Sequence, residues 1–172
     1  IGGFDYDKQL IKIIEDITGD QGLTTSTAVL EALQELGVTH PAVVTPYPDD
    51  TNEIEKQFLE HHGFHVVNIS GMGNDYVHQS ITDIEPSHVY QSVKKLDKSG
   101  ADCLFISCSG LNVLDLIDLL ETDLNMPVVT SNQASLWACL RHSGVGTRIP
   151  QIDRKRKGRA GTALFSKPTT QT

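Results

Sequence analysis

The chain has 172 residues, of which 38% are apolar and 21% charged, a balance that fits one ordinary soluble domain and excludes a disordered or membrane-embedded chain. No apolar run approaches the roughly 20 residues that span a bilayer, and the opening IGGFDYDKQL lacks the basic start and apolar stretch of a secretory leader, so a cytoplasmic protein with no membrane partner is expected. The net charge of −8 is uneven: residues 148–172 carry seven Lys/Arg against one acid, leaving residues 1–147 at −14, a body that does not attract nucleic acid.

Hydrophobic periodicity alternates between helix and strand. Residues 5–17 read as a helix capped by Asp5, with Leu10, Ile13, Ile14 and Ile17 on one inward face and Gly19 at its end. A second helix spans 26–36, with Thr24, Thr25 and Ser26 as cap hydroxyls; Ala28, Val29, Ala32, Leu33 and Leu36 face inward, and Gly37 closes it. Ala42 to Thr45 is a buried strand that runs into Pro46-Tyr47-Pro48. Asp50 and Glu53 have the spacing of a capping box for a helix over 51–62, with Ile54, Phe58 and Leu59 inward and Gly63 as the stop. FHVVNIS is the next strand, followed by the loop GMGND. Pro86 then opens a helix that reaches about Lys98.

DCLFIS is the third strand. Cys108-Ser109-Gly110 and a helix over 112–121 follow it, then the strand Pro127 to Thr130 and a closing helix from Asn132 to Arg141. This βαβαβαβα order predicts an α/β fold, a four-stranded mainly parallel sheet flanked by helices on both faces. Ligands of such sheets bind beyond the carboxyl ends of the strands. Three unusual segments fall there: Thr45-Pro46-Tyr47, Ser107-Cys108-Ser109-Gly110 and Thr130-Ser131-Asn132-Gln133. From 148 onward the periodicity is lost, and RKRKGRAGTALFSKPTTQT reads as a disordered basic tail.

Three cysteines cannot all pair internally, and their positions inside strands and helices mark them as reduced thiols. Cys108 stands between a strand and a predicted helix start, where backbone amides stabilise a thiolate that attacks an electrophile or takes a proton. The plain alternative is a small apolar filler. Cys103, about 16 Å away along the same strand, cannot share a site with it and reads as core, as does Cys139 beside Trp137. Tyr47 has a hydroxyl suited to a carboxylate, or else packs a rigid turn. Thr25 and its neighbours suit an anion as well as a cap, and Ser131 and Asn132 present the same choice. His61, His62 and His65 lack the Cys or carboxylate that would complete a metal set, so no metal is expected; His78 is a possible site residue in a loop.

The strings VTPYPDDTNEIEKQFLEHHGFHVV, LFISCSGLNVLDLIDLLE and PVVTSNQASLWACLR resemble the maleate cis-trans isomerase and arylmalonate decarboxylase branch of the Asp/Glu racemase superfamily, over about residues 1–147. The resemblance implies two similar α/β lobes with the active site between them, one cysteine from each lobe, and neither metal nor organic cofactor. It makes Cys108 the catalytic cysteine of the second lobe, with Ser107, Ser109 and Gly110 of its motif and Tyr47 and Thr25 around the substrate; it assigns no role to His78, which with Asn132 stays a candidate by position alone. It also implies that residues 1–22 are the remnant of a first lobe whose own cysteine precedes Ile1, that 23–147 form the second lobe, and that the full-length protein is a homo-oligomer. The expected activity is cofactor-independent isomerisation of a small dicarboxylate such as maleate, with the truncated chain itself inactive. Decarboxylation or racemisation on the same scaffold, and a non-catalytic carboxylate-binding or interaction domain, remain the alternatives.

Overall fold

The computed structural model describes residues 5–73 and 80–145. Within these, helices α1 (Tyr6–Thr18) and α2 (Thr25–Leu36) precede strand β1 (Pro41–Thr45), which is followed by α3 (Asp49–His61), β2 (Asn68–Gly71), α4 (Pro86–Lys95), β3 (Cys103–Ile106), α5 (Ile117–Leu124), β4 (Val128–Thr130) and α6 (Ser131–His142). The four strands form one parallel sheet in the order β2-β1-β3-β4. The expected α/β fold is therefore the observed one. His78 and the basic segment from 148 onward lie outside the described residues.

Alternation along each strand divides the core into two layers. Val43, Cys103, Phe105 and Val129 face one side, against Ala28, Leu33, Leu59, Ala134 and Trp137 from α2, α3 and α6. Ala42, Val44, Leu104, Ile106 and Val128 face the other, against Val89, Val93, Ile117 and Leu120 from α4 and α5. Burial on both faces explains why these strands read as continuous apolar runs. At roughly 25 cal/mol per Å² of buried apolar surface, each such Leu or Val contributes about 1.5–3 kcal/mol. At the amino ends of the strands, Asp102 ties the α2–β1 connection to β3. It accepts from Thr39 N at 2.7 Å, Thr39 Oγ1 at 2.8 Å and His40 N at 2.9 Å.

Several local expectations are corrected. The inward face predicted for α1 does not exist: no residue of the helix is buried, and Ile13, Ile14 and Ile17 are exposed. The sheet face on that side is already covered by α2, α3 and α6. Asp5 precedes α1 but does not cap it, because its carboxylate pairs with Lys8 at 2.7 Å. Helix α3 starts two residues early, after Pro48, so Asp50 and Glu53 form no capping box; Asp50 accepts from Thr51 N instead. Ile54 is 39% exposed rather than inward, and Cys139 is exposed rather than core. The predicted strand 64–70 pairs regularly only from Asn68 to Gly71, its earlier part making isolated contacts through His65 N and Val67 N. The helix expected over 112–121 is a 3₁₀ turn at Leu114–Leu116 followed by α5.

Candidate active site

Strand order places the reversal of the sheet between β1 and β3: from β1 the chain winds toward β2, and from β3 toward β4. A crevice opens at such a point beyond the carboxyl ends of the strands. Tyr47 follows β1 there and Cys108 follows β3, on adjacent strands joined further by Ser107 N donating to Val44 O at 2.9 Å. The cavity holds about 640 Å³. Its polar lining includes Tyr47, Ser107, Cys108, Ser109 and Ser131, with Thr24, Thr25 and Ser26 at the start of α2. Its apolar lining includes Leu10, Val29, Ile54, Phe58 and Phe105.

Cys108 is half-buried and adopts φ 131°, a region that L-residues with side chains rarely occupy. Two hydrogen bonds hold it: its N–H donates to Ser131 Oγ at 3.1 Å, and the N–H of Gly110 donates to its sulfur at 3.3 Å. The phenol of Tyr47 lies near the sulfur, close enough for each to act on the other. The helix-dipole argument for this thiol does not survive, because helical backbone resumes only at Leu114, and the amide of Gly110 takes the place of a helix terminus. Burial pushes the Tyr47 phenol well above its ordinary value, with the neighbouring Cys108 thiol and the charge of Glu55 adding to the effect. Tyr47 is thus a hydrogen-bond donor across the whole ordinary pH range.

A second set of contacts shapes the turn that carries Tyr47. Thr45 Oγ1 donates to Asn52 Oδ1 at 2.5 Å and accepts from Tyr47 N at 3.0 Å, and Asn52 Nδ2 donates to Tyr47 O at 3.2 Å. Gly71 and Gly73 lie against the far side of this turn, where a Cβ on either would collide with the Tyr47–Pro48 backbone. The absence of a side chain there is what lets β2 approach.

The predicted site residues separate into two groups. Tyr47, Thr25, Ser107, Cys108 and Ser109 line the cavity. Gly110 and Asn132 stand behind it: Gly110 offers its N–H to the sulfur, and Asn132 Nδ2 donates to Ser109 O at 3.1 Å. Capping at the helix starts falls to Thr24 and Thr130, each accepting from the N–H three residues on at 3.2 Å. Thr25 and Ser26 line the cavity, with Thr25 Oγ1 accepting from Ser135 Oγ at 3.4 Å, and Ser131 Oγ accepts from Cys108 N. Cys103 is fully buried, and burial pushes its thiol up, which fits a core residue. Among the described residues no three His, Cys, Asp or Glu side chains are grouped so as to hold a metal ion.

Two acids in the cavity were not anticipated. Asp7 of α1 accepts from Thr27 Oγ1 at 3.2 Å. Glu55 of α3 lines the cavity; burial pushes its carboxyl up, while the nearby Ser107 hydroxyl pulls the other way. The available signal for Glu55 was its place between Ile54 and Phe58, one helical turn before Leu59, on a face already assigned inward.

The sequence profile of the family described as arylmalonate decarboxylase matches residues 2–154. The chain is 31% identical over 147 residues to arylmalonate decarboxylase of Bordetella bronchiseptica, across 85% of this chain and 61% of that enzyme. It is 28% identical over 145 residues to maleate isomerase of Nocardia farcinica, across 79% of this chain and 55% of the other. A crystal structure of arylmalonate decarboxylase superposes with a TM-score of 0.74 at 29% identity, covering 86% of this chain and 65% of that one. The chain thus spans between about half and two-thirds of the length of these relatives.

Proposed function

Because this chain belongs to the arylmalonate decarboxylase family, in the Asp/Glu racemase superfamily, we propose that it supplies the cysteine half of a cofactor-independent active site acting at the carbon next to a carboxylate. One observation carries this reading: Cys108 is held at a strained φ with its sulfur at the cavity and the Tyr47 phenol upon it. A thiol kept only for packing needs neither the strain nor the phenol.

A lining that combines hydroxyls with apolar side chains, together with the kinship to arylmalonate decarboxylase, favours an acid with one carboxylate-bearing carbon and an apolar substituent, hence decarboxylation of an arylmalonate-like acid. Breaking the carbon–carboxylate bond releases CO₂ and leaves its electron pair on the α-carbon, delocalised as an enediolate. Tyr47, the hydroxyls of Thr25 and Ser26 and the first amides of α2 offer donors to that developing charge. Cys108 then gives its S–H proton to the carbon, forming the C–H bond and leaving a thiolate that water reprotonates. The kinship to maleate isomerase supports a second reading. There the Cys108 thiolate adds to one carbon of the double bond, the electron pair moves into the neighbouring carboxylate, the new single bond rotates, and elimination restores both the double bond and the thiolate. In both readings residues 1–22 belong with a further lobe, which fits the lack of any buried residue in α1.

Site-resolved alkylation tests the shared claim. Iodoacetamide should modify Cys108, identified by peptide mass spectrometry, and phenylmalonate or maleate should slow that modification while leaving the exposed Cys139 unprotected. Tyr47→Phe should weaken the protection. Equal labelling of Cys108 with and without either acid refutes an acid-binding site at this thiol. Turnover of the two acids by a preparation containing both lobes, followed by CO₂ release and by loss of maleate, then separates decarboxylase from isomerase. Cys108→Ala with unaltered turnover would sink both.

A further inference from the structure

Among the described residues, the cavity is lined by two carboxyl groups, Asp7 and Glu55, and by no Lys, Arg or His. The described wall of a site that receives an acid therefore places carboxyls among its hydroxyl donors. Asp7 is engaged by Thr27 at the α1–α2 contact. Glu55 instead reaches from α3 to Ser107, the residue preceding Cys108, and stands close enough to Tyr47 for its charge to act on the phenol. An ionised Glu55 in this position repels an incoming anion across a partly desolvated gap, where charge interactions are several times stronger than in water. A protonated Glu55 has a hydrogen to donate and no charge to oppose.

Resting on the reading above, we propose that Glu55 is a specificity-determining residue that makes binding of a doubly charged acid proton-linked: a dicarboxylate enters with uptake of one proton at Glu55, whereas a singly charged acid enters without it. The groups that share the cavity with Glu55 are few. Helix α1 brings Tyr6 and Asp7, the turn after β1 brings Tyr47, and the turn after β3 brings Cys108. The lining residues from α2 and α6, Thr24, Thr25, Ser26 and Ser131, do not titrate in the ordinary range. Burial raises the Glu55 carboxyl in the empty cavity, and the approach of a second negative charge raises it further. A monoacid brings a single charge, for which Thr25 and Ser26 of α2 offer donors without Tyr47, and it has no second charge to meet Glu55.

Calorimetric titration of the full chain with phenylmalonate and with phenylacetate, in buffers of different ionisation enthalpy slightly above neutral pH, reads proton uptake directly. Wild type should take up close to one proton per phenylmalonate and close to none per phenylacetate, and its phenylmalonate affinity should fall by up to roughly tenfold per pH unit. Glu55→Gln preserves the shape and the partner of the side chain. It should abolish the uptake, flatten the pH dependence and tighten phenylmalonate about tenfold or more relative to phenylacetate. Cys108→Ala and Asp7→Asn, which remove the other two groups able to hold the proton, should each leave the uptake in place. Uptake that survives Glu55→Gln, or that disappears in Cys108→Ala or Asp7→Asn, puts the proton elsewhere and overturns the inference while leaving acid binding intact. A wild-type chain that binds neither acid overturns the proposed function itself, and this inference with it.

Discussion

Replacing Asn52 with alanine tests whether the Tyr47 turn is built as described. Asn52 is 4% exposed, and its amide holds two partners, Thr45 Oγ1 and the carbonyl of Tyr47. Thr45 is fully buried, so its hydroxyl hydrogen loses its acceptor with no water to replace it, whereas the Tyr47 carbonyl keeps the N–H of Gly73. Two hydrogen bonds at about 1 kcal/mol net each, plus about 1 kcal/mol for the stranded hydroxyl, give a loss of about 3 kcal/mol. For a domain of this size each kcal/mol moves Tm by about 2–4 °C, so the variant should melt about 6–12 °C below wild type by circular dichroism. Glu53→Ala on the same helix removes only an exposed contact to Gln57 and should stay within about 0.5 kcal/mol of wild type. The loosened turn should also weaken protection of Cys108 by phenylmalonate. An Asn52→Ala protein that melts within about 1 °C of wild type would refute the claim that this amide fixes the Tyr47 turn.

Gly71→Ala should act on the same turn from the other side. Its Cβ meets the Tyr47 carbonyl and the Asn52 amide, which cannot swing away as a flexible chain end would, so a loss of about 1–3 kcal/mol in chemical denaturation is expected, together with weaker acid binding. Glu55→Gln should be more stable than wild type at neutral pH. Burial raises the folded-state carboxyl above its unfolded value, so the folded chain binds more protons between the two values and wild-type stability falls as pH rises through that window. The Gln variant lacks this contribution, and the gap in Tm should close as the pH drops below the ordinary Glu range; a gap that stays constant from neutral to acid pH would show that the fold does not raise the Glu55 carboxyl.

The layout of the fold was readable because β1, β3 and β4 are covered on both faces and the helices between them carry apolar stripes. Val43-Val44 and Leu104-Phe105-Ile106 could hardly be anything but central strands once Gly37, Gly63 and Pro86 delimited the helices between them. The convergence of Tyr47, Cys108 and Ser131 followed from parallel topology alone, which brings the carboxyl ends of neighbouring strands together however far apart they lie in sequence. Where the prediction failed, the missing quantity was tertiary. The stripe Ile13, Ile14 and Ile17 is a genuine helical face, and periodicity identifies such a face without saying what it meets; the sheet beneath was already occupied. Periodicity likewise placed α3 without revealing that its inward face meets a cavity beside Ile54 and Phe58, so the acid between them was overlooked.

Backbone geometry at Cys108 was invisible to the sequence for a different reason, and it bears on what the thiol is for. A φ of 131° costs a non-glycine residue on the order of 1–3 kcal/mol, and in Ser107-Cys108-Ser109-Gly110 the glycine that could adopt it freely stands two positions later. Nothing in the motif warns that the cysteine, rather than the glycine, takes the turn. The strain is sustained by contacts from three directions: Ser131 on its N–H, Val44 on the N–H before it, and the Gly110 amide on its sulfur. Glycine at 108 would relieve the backbone while keeping the bonds to Ser131 and Val44, so those bonds alone give no reason for a side chain there. What glycine would lose is the sulfur, its contact with the Gly110 amide, its place beside the Tyr47 phenol and its packing against the core layer that holds Ile106 and Leu111. Packing is available to many side chains, whereas a sulfur at the cavity that receives an amide N–H fits the reactive role proposed for it.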